Sequence, residues 1–176
     1  MIARPLAALA AALLVLTACS GGDDDVATAP SPEASCPAAP TPVEPPEGAT
    51  TDLDTKPVVE VPSDPPPTAL EVSDIVVGDG ELACSGDPVA MQYVGVLYAD
   101  GTQFDASWDR GGEPFPFQLG GGRVISGWDE GIVGMREGGR RQLVIPPELG
   151  YGDQGAGADI PPGATLVFVV DLLEVG

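Results

Sequence analysis

Hydrophobic positions change character twice along this chain. Leu6 to Leu16 is an unbroken run of Ala, Leu and Val, followed from Ser20 to about Thr51 by Ala, Pro, Thr, Ser and acidic residues with few large apolar side chains. Beyond Pro67 the apolar residues come in short, Gly-punctuated stretches, many with the two-residue period of half-buried strands. The pattern predicts strands over Leu70–Val77, closed by the turn Gly78-Asp79-Gly80, and over Pro88–Tyr98, with Met91, Tyr93 and Gly95 sharing a face. Asp100-Gly101 is a hairpin signal leading into Thr102–Ser107. Arg140–Ile145, ending at Pro146-Pro147, and Thr165–Glu174, with Leu166, Phe168, Val170 and Leu172 on one face, complete the strands. Pro57–Pro62 reads as an additional short edge strand bounded by prolines.

One helix is predicted, from Ser126 to about Gly134. Ser126 and Asp129 have the capping-box spacing, and Asp129 and Glu130 stand in the first turn, where the helix dipole favours anions. Gly127 and Gly131 weaken it intrinsically, so packing must hold it. The fold class is therefore α+β: a twisted antiparallel sheet wrapped around one short helix.

The N-terminal apolar run is about eleven residues, too short for the roughly twenty that span a bilayer. Preceded by Arg4 and ending in Leu16-Thr17-Ala18-Cys19, it resembles a lipoprotein signal peptide over residues 1–18. That resemblance implies acylation of Cys19, anchoring to the bacterial cell membrane on its extracytoplasmic side, and a lipidated, disordered tether over residues 19–53. The folded domain is then expected over residues 54–176.

Composition narrows the chemistry. With 27 acidic residues against seven Lys and Arg, the formal charge is −20, which argues against a nucleic-acid partner. Arg140-Arg141 is the one basic pair and reads as a solvated strand edge. Histidine is absent, which removes the commonest general base and metal ligand and excludes a Ser/His or Cys/His nucleophile. No metal or cofactor is expected. Cys36 and Cys84 are an even pair in a chain read as exported; they are expected to form a disulfide, the alternative being two free or intermolecular thiols.

The remaining chemistry lies in scattered aromatic and aliphatic residues: Tyr93, Phe104-Asp105, Phe115, Phe117, Val124-Ile125, Trp128, Tyr151, Ile160 and Phe168. Taken singly, each aromatic fits a core as readily as a site. Together they fall within ordered blocks: Gln92–Leu97, Asp100–Ser107, Pro114–Gly120, Val124–Gly131, Met135–Arg141, Ile145–Pro147, Leu149–Gly152 and Ile160–Phe168. In this order the blocks resemble the FKBP-type peptidyl-prolyl cis/trans isomerases, over about residues 88–174.

That resemblance implies an FKBP-like half-barrel, X-Pro isomerisation and proline-containing polypeptide substrates, by a monomer that also binds macrolides. It implies Trp128 as the pocket floor, with Phe115, Val124, Ile125 and Ile160 also contacting substrate. Tyr93, Asp105, Phe104, Tyr151 and Phe168 form the catalytic set, Tyr151 offering its hydroxyl to a substrate carbonyl and Asp105 orienting Tyr93 or pairing with Arg110. Ala156, Asp159 and Arg123 depart from the family pattern at the rim, which leaves macrolide affinity and the preferred neighbour of proline open. The Gly- and Ala-rich loop from Gly155 to Ala158 is expected to move. A different class of function, a membrane-tethered proline-peptide binding module or chaperone with little catalysis, uses the same pocket.

Overall fold

A computed structural model describes residue 36 and residues 39–176; the signal segment, Cys19 and the first part of the tether lie outside the described residues. Six strands form one antiparallel sheet: β1 (Glu71–Val76), β2 (Pro88–Leu97), β3 (Gln103–Ala106), β4 (Phe115–Gln118), β5 (Arg140–Ile145) and β6 (Leu166–Val175). The order is β1-β5-β6-β2-β3, and β4 also pairs with β2. Along β2, Pro88–Met91 pair with β4 and Val94–Val96 with β3, so two short strands divide the length of one long one. Between them the Tyr93 N–H finds no strand partner and donates instead to Ser107 Oγ at 2.8 Å. The Ser107 hydroxyl in turn donates to the buried Gln92 side chain, so this break in the ladder leaves no orphan donor.

Alternation along the strands produces two apolar faces. One carries Met91, Tyr93, Leu143, Ile145, Leu166, Phe168, Val170 and Leu172, and closes over α1 (Ser126–Gly131). The glycines that weaken this helix are what let it dock. A Cβ on Gly127 would lie 2.5 Å from Ile145 Cγ2, and one on Gly131 would lie 2.9 Å from Leu143 Cδ2. The helix is shorter than predicted, ending at Gly131. Its N-cap is Ile125, without a side-chain cap, so the expected Ser126 capping box is absent. Arg141 serves the other end, donating to the carbonyls of Gly131 at 2.7 Å and Val133 at 3.3 Å, where a cation complements the dipole.

The second face holds Val94, Val96, Tyr98, Ala106, Val144 and Val167, covered in part by Val59, Val61 and Trp108. Here the chain departs from the sequence expectation. Residues 57–62 are not a strand but an irregular strap, whose valines still cover this face. Ordered contacts begin upstream of Asp54: Val43 N–H donates to the Val72 carbonyl at 2.7 Å, as a parallel bridge to β1. The expected spacer therefore gives way to attached chain by residue 43. Tyr98 ties the strap's far end through Asp64, whose carbonyl accepts its hydroxyl at 2.9 Å.

Arg140 and Arg141 correct the expectation of a solvated edge. They are 0% and 3% exposed. β5 is internal to the sheet, so its polar side chains need partners. Arg140 meets both carboxylate oxygens of buried Asp171, and donates to the carbonyls of Thr50, Asp52 and Thr55 at 2.8–3.1 Å. Arg141 pairs with Asp74 at 2.6 Å. One guanidinium thus uses its donor fork to hold strap and sheet together. Cys36 and Cys84 form a disulfide across a separation of 48 residues, with Cα atoms 4.9 Å apart.

Candidate functional site

Trp128 is positioned first, because the glycine-mediated docking of α1 fixes its backbone against β5. Its ring is 4% exposed and stands edge-on to Tyr93 at 5.1 Å between centroids and to Phe168 at 5.3 Å. Phe168, on β6, meets Phe104, on β3, edge to face at 5.4 Å. Tyr93, from β2, meets Phe115, from β4, at 6.0 Å. Such edge-to-face contacts are favoured by the ring quadrupoles.

These rings surround a cavity of about 430 Å3. All ten residues expected to act on or bind a substrate line it: Tyr93, Phe104, Asp105, Phe115, Val124, Ile125, Trp128, Tyr151, Ile160 and Phe168. Arg123, Ala156 and Asp159 complete the lining. Phe117 does not; it is buried beside the cavity, stacked obliquely against Phe115 and Trp128. Phe115 and Tyr151, 37% and 40% exposed, are the large apolar groups left open to solvent at this site. The buried Trp128 Nε1–H has no hydrogen-bond partner among the described residues.

One polar triplet stands in the apolar wall. The Tyr93 hydroxyl donates to Asp105 Oδ2 at 2.6 Å and accepts from Arg110 Nη2 at 2.6 Å, and Arg110 also pairs with Asp105. Asp105 thus contacts both Tyr93 and Arg110. Arg110 lies over the Tyr93 ring, 5.4 Å from its centroid. Burial, then the hydrogen bond to Asp105, push the Tyr93 phenol above its ordinary value, against the pull of Arg110. The Tyr151 phenol is raised by burial and by the charge of Asp105. Both hydroxyls are thus protonated donors near neutral pH.

The loop after Tyr151 is closed by reciprocal backbone bonds between Ala156 and Ile160, at 2.9 and 3.1 Å, and by Gly163 N–H on the Gly152 carbonyl at 3.0 Å. These bonds seat Ile160 against the cavity. Two positioning features escape sequence reading. Gly95 lies where a Cβ would come within 2.7 Å of both Phe104 Cζ and Phe168 Cε1, so the two rings close over bare backbone. Asp129, expected in a capping box, instead accepts the N–H groups of Gly120 at 2.8 Å and Gly122 at 2.9 Å, and so ties the loop leading to Arg123 and Val124 onto α1. The signal for the first is a glycine on the apolar face of a strand; the second depends on a loop conformation that no local pattern specifies.

The family model of the FKBP-type peptidyl-prolyl cis-trans isomerases matches residues 80–173. The chain belongs to this family. The FK506-binding protein of Streptomyces anulatus is 54% identical over 121 residues, covering 68% of this chain and 97% of the relative. The peptidyl-prolyl cis-trans isomerase FKBP2 of Mus musculus is 57% identical over 90 residues, covering 51% of this chain and 63% of that protein. Among solved structures, the crystal structure of AtFKBP13 is similar with a TM-score of 0.57 and 41% identity, over 62% of this chain and 95% of that one. The six-stranded antiparallel sheet with one short helix is thus an FKBP fold, and the enzyme is a peptidyl-prolyl cis-trans isomerase.

Proposed function

We propose that the aromatic cavity is the isomerase site and that it accelerates X-Pro rotation by desolvation and by selecting a twisted amide. The planar amide is stabilised by charge-separated resonance, with a barrier of about 18–20 kcal/mol. Twisting removes that resonance, so the transition state is less polar than either planar form. An apolar, water-poor site binds the less polar state better. Reducing a process of about 10–100 s to milliseconds takes on the order of 10⁴- to 10⁵-fold, roughly 5.5–7 kcal/mol. In this reading the proline ring rests on Trp128, between Tyr93, Phe115, Val124, Ile125 and Phe168. Phe104 and Ile160 flank it, and Tyr151 donates to a substrate carbonyl. Asp105 holds Tyr93 in place and transfers no proton, because rotation moves none.

The observation that carries this reading is the convergence of all ten residues on one cavity. The same apolar cavity, with the Tyr151 hydroxyl as donor, would receive a macrolide, as the names of the FK506-binding relatives suggest. Acylation at Cys19 would hold a monomeric enzyme on the outer side of the bacterial membrane, where its substrates are exported chains. Two acyl chains suffice for stable anchoring.

NMR exchange on an X-Pro peptide tests the site: Phe168→Leu is expected to lower the rate severalfold or more, whereas unchanged exchange would remove the cavity from the mechanism. A tethered binding module with little catalysis would bind the peptide without accelerating exchange. Mass spectrometry of the mature N-terminus tests the anchor; an unacylated terminus at a residue other than Cys19 would overturn it.

A further inference from the structure

Cations are scarce in this chain, and those in the described residues are almost all engaged. Lys56 pairs with Asp109, Arg110 with Asp105, Arg140 with Asp171 and Arg141 with Asp74, while Arg136 donates to the Gly80 carbonyl. Arg123 has neither an ion pair nor a side-chain hydrogen bond among the described residues, and it lines the aromatic cavity. Its backbone is held: Gly122, its neighbour, donates to Asp129 Oδ2 at 2.9 Å, and Gly120 to Oδ1 at 2.8 Å. That carboxylate is therefore committed to the loop rather than to the guanidinium. Of the two acids that line the cavity, Asp105 is neutralised by Arg110, and Asp159 forms no ion pair with Arg123.

We infer that Arg123 is a specificity-determining residue, which makes this isomerase prefer an acidic side chain to its uncharged isostere on a residue beside the substrate proline. The inference rests on the cavity being the isomerase site. A polypeptide whose proline enters the cavity must carry its neighbouring residues across the rim. There an acidic side chain meets a guanidinium with free donors on a loop whose backbone is already held, so the ordering that offsets the attraction is that of the side chains alone. The molecule as a whole carries −20 and repels acidic peptides at long range. A preference for them must then come from a local contact. An exposed ion pair supports a preference of about two- to fivefold.

The test is NMR exchange on the full chain with two pairs of peptides, identical but for Glu or Gln immediately before the proline in one pair and immediately after it in the other. Glu and Gln share shape, so their rate ratio reads charge alone. The expected result is a Glu/Gln ratio in kcat/KM of about two to five in at least one pair. It should fall to near one in Arg123→Gln, drop below one in Arg123→Glu, and survive in Arg123→Lys. Retention by the lysine variant separates loss of charge from damage to the loop. A ratio of one or less in both pairs, or a ratio unchanged by Arg123→Gln, overturns the inference with the site intact. No acceleration of any of these peptides would remove the site itself, and the inference with it.

Discussion

The Tyr93 hydroxyl donates to Asp105 Oδ2 at 2.6 Å, joining a residue of β2 to one of the edge strand β3. Arg110 closes the triplet, donating to Tyr93 from the other side. Asp105→Asn keeps the size of the side chain while removing the charge that both partners use. The expected outcome is a fall in kcat/KM of about tenfold, roughly 1.4 kcal/mol of transition-state stabilisation. The melting temperature should move little, because the Asp105 and Arg110 side chains are 42% and 51% exposed and solvent screens their attraction. An equal loss of stability and activity would make the triplet a structural feature rather than a positioning one.

Gly95 tests how closely the cavity walls are set. It sits in β2, paired with Asp105 on one side and Phe168 on the other, so the backbone has little room to yield. Gly95→Ala should destabilise the fold by about 1–3 kcal/mol, as overpacking does. It should also depress isomerisation more than tenfold, because both displaced rings line the cavity. Combining it with Phe104→Leu should recover part of the stability, measured by denaturant unfolding. Simple additivity of the two changes would show that the predicted clash does not occur.

The sequence discloses the apolar side of this site far better than its polar support. Tyr93 and Phe168 lie on strands whose two-residue period places them on the helix-facing side, and Trp128 falls in the only strong helix pattern. The roles of the polar groups depend on distant chain. Asp129 stands at capping-box spacing from Ser126, yet its acceptors are used by Gly120 and Gly122. Arg140 and Arg141 look like a solvated pair because surface strands carry such residues. Their burial depends on partners such as Asp171, 31 positions from Arg140, Asp74, 67 from Arg141, and Thr50, 90 from Arg140, which no local pattern can register. The strand β4 was legible only as a family block, since Phe115-Pro116-Phe117-Gln118 is short and contains a proline; that proline lies on a strand edge.

Arg140 supplies the strongest test of the strap. Arg140→Met leaves Asp171, 1% exposed, buried without its counterion, and frees the carbonyls of Thr50, Asp52 and Thr55. Burial already pushes the Asp171 carboxyl upward, with Arg140 pulling the other way. The expected loss is about 3–5 kcal/mol, the range for breaking a buried pair. Adding Asp171→Leu should restore much of it, since the orphaned charge is then removed. Hydrogen exchange across residues 43–66 should accelerate in both variants, because neither retains the clamp. Protection unchanged in that segment would show that the strap is held by its valines alone.

The tyrosines fix the alkaline limit of activity. Tyr93 and Tyr151 are both raised above the ordinary phenol value of 10.0, chiefly by burial. A phenol whose folded value is raised holds its proton more tightly in the folded state than in the unfolded one. Its contribution to stability is therefore complete below about pH 10 and is lost as pH rises through the raised value. Isomerisation itself transfers no proton, so kcat/KM is expected to be level from about pH 7 to about pH 9, below the range where these phenols ionise. Above about pH 10, as pH rises towards the raised phenol values, activity and thermal stability should decline together. Tyr151→Phe should lower the plateau without moving the point where stability begins to fall, because Tyr93 remains. A decline centred near neutral pH in the unaltered chain would place a titrating group in the rate-limiting step and contradict catalysis by twisting and desolvation.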